Sequence, residues 1–213
     1  MIFVNFKTYE EGTGENALKL AKICQAVEQE TEIKIFPVVQ AADIYRLTSA
    51  GLTVWAQHVD DIGFGPNTGS TLFEALAQAG AKGTLLNHSE NKLPPETIGS
   101  IIERTRSLGF LVCCESLEEA QSIAEFKPDL IAYEPPELIG GDVAVSSAKP
   151  EIIGDFTREI KDIPVLVGAG IHEREDVHQS LKLEAVGILV SSAVVLADDP
   201  KKVLLDLAGG FRK

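Results

Sequence analysis

Four residues in this 213-residue chain could, if brought together, remove a proton from a carbon beside a carbonyl. Asn5 and Lys7 lie in "VNFKTY", His88 in "NHSE" and Glu134 in "LIAYEPPELIGGD". The carboxylate would be the base. The imidazole and the ammonium would stabilise the oxygens on which negative charge develops. This chemistry needs no thiol, no serine and no cofactor. A helical turn starting at Ser89 and Glu90 would face its N–H groups toward the imidazole and favour the neutral ring. Pro135 keeps Glu134 extended, because a residue before proline avoids helical geometry.

The elements that must position these groups follow from the apolar pattern. Short β-branched runs occupy 2–6, 34–39, 53–59, 83–88, 111–115, 130–135, 165–170 and 187–192. Amphipathic stretches such as Glu15–Gln29, Glu96–Leu108, Leu117–Phe126 and Lys149–Lys161 lie between them. Alternating strands and helices imply βαβ units and a parallel sheet. Eight such units fit a closed (β/α)8 barrel, with an open doubly wound sheet as the alternative. The open sheet usually carries a glycine-rich turn after its first strand, and here no glycine precedes Gly12. The expectation is one α/β barrel domain over 1–213, with short loops and helices.

Chemistry in such barrels sits at the C-terminal ends of the strands. Side chains alternate faces along a strand. Phe3, Asn5 and Lys7 then share a face, as do Leu86 and His88, and Leu130, Ala132 and Glu134. Gln57 has the parity of Trp55 and could support the floor. His58 falls on the opposite face and reads as structural or exposed. His172 and His178 read as ordinary loop and helix residues. Taken singly, Lys7, His88 and Glu134 would each more often be structural or solvated. Their joint placement at matching strand ends favours a site. The loops "GAGI" (168–171) and "SSA" (191–193) follow the last two strands, where barrels commonly hold phosphate. Either loop alone is equally an ordinary turn.

Composition limits the partners. Net charge is −13 and the sequence pI is about 4.7, which disfavours nucleic acid. No run is apolar for long enough to span a membrane, and "MIFVNFKTYE" does not resemble a signal peptide. Cys24, Cys113 and Cys114 suggest reduced thiols in a cytoplasmic protein rather than a disulfide framework. No Cys/His spacing resembles a metal site.

The segments "VNFKTY", "AQHVD", "NHSEN", "AYEPPELIGG", "VGAGI" and "GILVSSAVV" together resemble the triosephosphate isomerase family, in its short archaeal-type branch. The likeness covers nearly the whole chain. It implies interconversion of dihydroxyacetone phosphate and glyceraldehyde 3-phosphate without a cofactor. By the same likeness Glu134 is the base, His88 the electrophile, Lys7 the substrate-binding cation and Asn5 its hydrogen-bonding partner. Phe6, Ile139, Gly140, Gly170, Ser191 and Ser192 fall among the substrate- and phosphate-binding residues. Gln57, Ser89 and Glu90 support the site. Segment 136–142 matches a closing lid, and "FGPNTGS" (64–70) a shortened interface loop of a homo-oligomer, dimer or tetramer. Asn91 and Lys92 stand where many relatives carry an arginine, and "GGD" (140–142) where relatives often have Gly-Thr-Gly. Two other readings are an inactive metabolite-binding relative and another phosphosugar isomerase or epimerase. A binder has no need of a base. The other isomerases often need a metal set or larger cavity, which the sequence does not show.

Overall fold

The computed structural model describes residues 1–104, 107–135 and 150–212. The strands are β1 (Ile2–Asn5), β2 (Ile35–Val39), β3 (Trp55–Ala56), β4 (Gly83–Leu86), β5 (Gly109–Cys114), β6 (Leu130–Tyr133), β7 (Val165–Val167) and β8 (Gly187–Val190). All pair in parallel and in chain order, and β1 pairs with β8 to close the barrel. The helices packed outside are α1 (Gly14–Thr31), α2 (Ala41–Ser49), α3 (Phe73–Gln78), α4 (Pro95–Arg104) and α5 (Leu117–Ala124). They continue with α6 (Pro150–Glu159), α7 (Arg174–Lys182), the short α8 (Ser192–Val195) and α9 (Pro200–Gly209). Among the described residues no helix is long and apolar enough to cross a membrane.

Strand alternation sorts the core into two layers. Phe3, Val38, Trp55, Leu85, Leu111, Leu130, Ala132 and Leu166 fill the barrel interior. Ile2, Val4, Leu86, Val112, Ile131 and Val167 face the helices. Helix α1 answers them with Ala17, Leu20, Ala21, Cys24 and Val27, one buried stripe at helical spacing. Helix starts are fixed by side-chain caps where the chain offers them. Ser116 accepts from Glu119 N–H at the start of α5, and Asp199 accepts from Lys202 N–H at the start of α9, where Pro200 follows the cap.

Several strands end earlier than their apolar runs. Lys7 has φ +46°, so β1 turns out of the sheet just beyond Asn5. Strand β3 keeps two ladder residues of the expected seven, because its only register partner on β4 is Ala56 with Thr84. From Asp60 the chain leaves the sheet as a loop closed on itself by Asp60 N–H to Thr71 O (3.0 Å) and Thr71 N–H to Asp60 Oδ2 (2.6 Å).

Inside the barrel, Trp55 fits because two neighbours have no side chain. A Cβ on Gly83 would lie 2.5 Å from the Trp55 ring, and one on Gly109 would lie 2.8 Å from it. The indole then packs edge-on against Phe3, with ring centroids 4.9 Å apart. Gly83→Ala should therefore destabilise the protein by about 1–3 kcal/mol through overpacking. Adding Trp55→Phe should restore part of that loss. Urea unfolding of the single and double variants measures both effects.

Candidate active site

At the C-terminal end of the barrel a cavity is lined by Asn5, Lys7, His88 and Glu134 on one side. Gly168, Gly170, Ser191 and Ser192 line the other. Glu134 continues the inward face of Leu130 and Ala132, as alternation requires, and its backbone N–H donates to Cys114 O at 2.8 Å. It is 4% exposed, so the carboxylate is nearly cut off from water. Burial raises its pKa to about 7, against the opposing pull of the neighbouring Cys113 thiol and the Lys7 ammonium. Oε2 has no hydrogen-bond partner among the described residues. Of the adjacent cysteines, Cys113 faces the interior beneath Glu134, and Cys114 faces the helices.

The room for this carboxylate comes from Gly168. A Cβ there would lie 2.6 Å from Glu134 Cγ and 3.0 Å from Oε1. Gly168 N–H is itself fixed by Tyr133 O at 2.9 Å, so the backbone cannot retreat without breaking the β6–β7 junction.

His88 Nε2 lies 3.9 Å from Glu134 Oε1. Its Nδ1 accepts the Glu90 backbone N–H at 3.1 Å, and Asn91 N–H donates to His88 O at 2.8 Å. A turn supplies these donors, not a helix, since α4 starts only at Pro95. An accepting Nδ1 leaves the ring proton on Nε2, toward the cavity. Burial pushes the imidazole pKa below its ordinary value, and the Lys7 charge adds to this. The ring is therefore neutral near pH 7 and still able to donate.

Lys7 Nζ reaches Glu90 Oε1 at 2.6 Å. Its backbone is held by Asn5, whose Oδ1 accepts Lys7 N–H at 3.0 Å, and by Gln57, whose Nε2 donates to Lys7 O at 2.8 Å. Gln57 lines a second depression beside the mouth with Asn5, Lys7 and His88. His58 also borders it, with its Nε2 3.1 Å from Asp60 Oδ1.

Not every expected residue reaches the cavity. Phe6 is fully buried in the outer layer, where alternation opposite Asn5 sends its side chain. Ser89 is half-buried in the turn and lines neither depression. Ile139 and Gly140, with the rest of 136–142, lie outside the described residues. Sequence reasoning missed Tyr9 and His172, which also line the cavity, whereas Ile171 and Ala193 line it from within the expected loops 168–171 and 191–193. His172 does lie in a loop, as expected, but it reaches the mouth. Its position directly after "GAGI" was the available signal.

The face assigned to His88 needs a correction. Leu86 belongs to the outer layer and Leu85 to the interior, so simple alternation would send His88 outward. Asn87 intervenes with φ +59° and turns the chain so that His88 enters the mouth.

A parallel eight-stranded barrel with a buried carboxylate, a neutral imidazole and a lysine at its C-terminal mouth defines a class of barrel enzyme suited to proton transfer. Comparison with known proteins specifies the family. The family model described as triosephosphate isomerase matches residues 1–208. Triosephosphate isomerase of Methanobacterium bryantii is 45% identical, with 97% of this chain and 95% of that protein covered. That of Methanothermus fervidus is 42% identical, covering 97% and 96%. That of Saccharolobus solfataricus is 42% identical, covering 97% and 93%. The crystal structure of triosephosphate isomerase from Bartonella henselae shares the fold with a TM-score of 0.72 at 21% identity. The match covers 98% of this chain and 95% of that one. The chain belongs to the triosephosphate isomerase family and is an isomerase.

Gly168→Ala should lower kcat by about 100-fold, the scale of a roughly 1 Å misplacement of a reacting group. Steady-state kinetics on the folded variant checks this; a kcat within about twofold of the parent would show that Gly168 does not hold Glu134 in place.

Proposed function

We propose that this protein interconverts dihydroxyacetone phosphate and D-glyceraldehyde 3-phosphate through an enediolate, with Glu134 as base and His88 as neutral electrophile. One observation carries this mechanism. A buried carboxylate with a raised pKa shares a cavity with an imidazole whose proton sits on Nε2 and with a lysine. The carboxylate removes a proton from the carbon beside the carbonyl and returns it to the neighbouring carbon. His88 Nε2–H donates to the oxygen that gains charge, and Lys7 holds the substrate and balances that charge. Asn5 supports Lys7 and offers a polar side chain to the substrate. No cofactor takes part in this scheme.

The phosphate is assigned to Gly170, Ser191 and Ser192. Gly170 has φ +64°, and Ser192 opens the short α8 just after β8. Small residues there allow backbone N–H groups to approach an anion, which suits an otherwise acidic chain. The lid role of Ile139 and Gly140 belongs to the same proposal by family likeness. So does a homo-oligomeric state, dimer or tetramer, in keeping with Phe64 standing 76% exposed in the 60–72 loop. A cytoplasmic location belongs to the same proposal, in keeping with the free cysteines Cys24, Cys113 and Cys114.

A coupled assay with glyceraldehyde 3-phosphate tests the activity. Turnover well above background is expected; none from pure folded protein would refute the proposal. Glu134→Gln should lower kcat by about 1000-fold while substrate still binds. Lys7→Ala should damage kcat and KM together, so an unchanged kcat/KM would contradict its role.

A further inference from the structure

Asn87 separates β4 from His88, and its conformation is unusual for a residue with a side chain. At φ +59° it sits in the left-handed region, which asparagine tolerates better than most but still at a cost. It is 1% exposed. Its Nδ2 donates to Cys113 O and to Glu119 Oε1, both at 2.8 Å, and its Oδ1 accepts Leu93 N–H at 2.9 Å. The amide therefore bridges three segments: β5, α5 and the turn after His88.

Glu119 is fixed in turn. Lys92 Nζ donates to its Oε1 at 2.6 Å, and Glu115 N–H donates to its Oε2 at 2.7 Å. Lys92 also lies 3.5 Å from Glu115 Oε1. None of Asn87, Lys92 and Glu119 lines the cavity or the depression beside it. The Lys92 charge acts directly on His88 and Glu134. The Asn87 amide is neutral and acts on the site through the turn it holds, and the residue whose direction it sets is His88. Without the left-handed step, the sequence of faces Leu85 inward and Leu86 outward would carry His88 away from the mouth.

We propose that Asn87, clamped by the Glu119–Lys92 pair, is a positioning residue for His88, and that this polar clamp aims the imidazole into the cavity. The proposal rests on the role given to His88 above. The clamp's hydrogen bonds offset the strain of the left-handed residue and remove the alternative in which the turn relaxes toward a regular strand. The ring then meets the substrate oxygen already oriented.

A double-mutant cycle tests this. Asn87→Gly keeps the backbone conformation accessible and removes the clamp; Glu119→Gln and Lys92→Met weaken it from the far side. Asn87→Gly and Glu119→Gln should lower kcat by about 10- to 100-fold with KM within about threefold, and Lys92→Met by about fivefold. In a His88→Gln background Asn87→Gly and Glu119→Gln should change kcat by less than about twofold, because the group they position is gone. Lys92→Met should there keep only the part of its loss that comes from its charge on Glu134. The ¹⁵N signals of His88, read by NMR in Asn87→Gly, should lose the single neutral form with a hydrogen-bonded Nδ1. Lys92 is partly exposed, so its variant keeps the test alive if the buried ones fold poorly. Unchanged kcat in folded Asn87→Gly and Glu119→Gln would overturn the proposal. An equal loss in the His88→Gln background would also do so, since it would mean a general structural effect. An unchanged kcat in His88→Gln alone would instead remove the role of His88 itself, and the clamp proposal with it.

Discussion

A carboxylate held out of water at the end of β6 is the constraint on which the rest of this site depends. Removing Glu134 from solvent costs free energy when it is ionised, and that cost raises its pKa to about 7. A carboxylate with that pKa suits the role of base proposed for it, because it titrates close to neutral pH. The same shift bears on stability. The folded-state pKa lies above the ordinary carboxylate value, so this contribution to stability is complete below that value. It is lost as pH rises through about 7. The protein carries this cost in exchange for a basic carboxylate.

Everything around Glu134 is arranged to permit that burial. Gly168 leaves the volume the side chain occupies. Lys7 provides positive charge without enclosing the carboxylate, since its Nζ contacts Glu90. His88 presents a donor rather than a cation, because the Glu90 N–H occupies Nδ1 and burial disfavours the second proton. A charged imidazole in its place would depress the Glu134 pKa and make the carboxylate less basic. The two perturbed groups are thus linked: one is raised and the other lowered, mainly by burial at the same mouth.

Much of this was legible in the sequence, and the failures have physical causes. Eight apolar runs separated by helical stretches are enough to imply the closed barrel, because only a few topologies bury both faces of a parallel sheet. Alternation placed Glu134 correctly, since Leu130, Ala132 and Glu134 form an unbroken extended segment. It failed at His88, where one left-handed residue reversed the face. That reversal depends on hydrogen bonds from Asn87 to residues 26 and 32 positions away, which a local pattern does not contain. Strand β3 was overread for a similar reason, because "TVWAQHV" is apolar enough for a strand but finds few ladder partners. Tyr9 and His172 reached the cavity through loop geometry, which periodicity does not describe.

The central claim is that burial holds the Glu134 carboxylate near neutrality in the free protein. A ¹³C NMR titration of the Glu134 side-chain carboxyl, assigned by its absence in Glu134→Gln, measures this directly. The expected midpoint is about 7. A midpoint at the ordinary carboxylate value, about 4.3, would contradict the account.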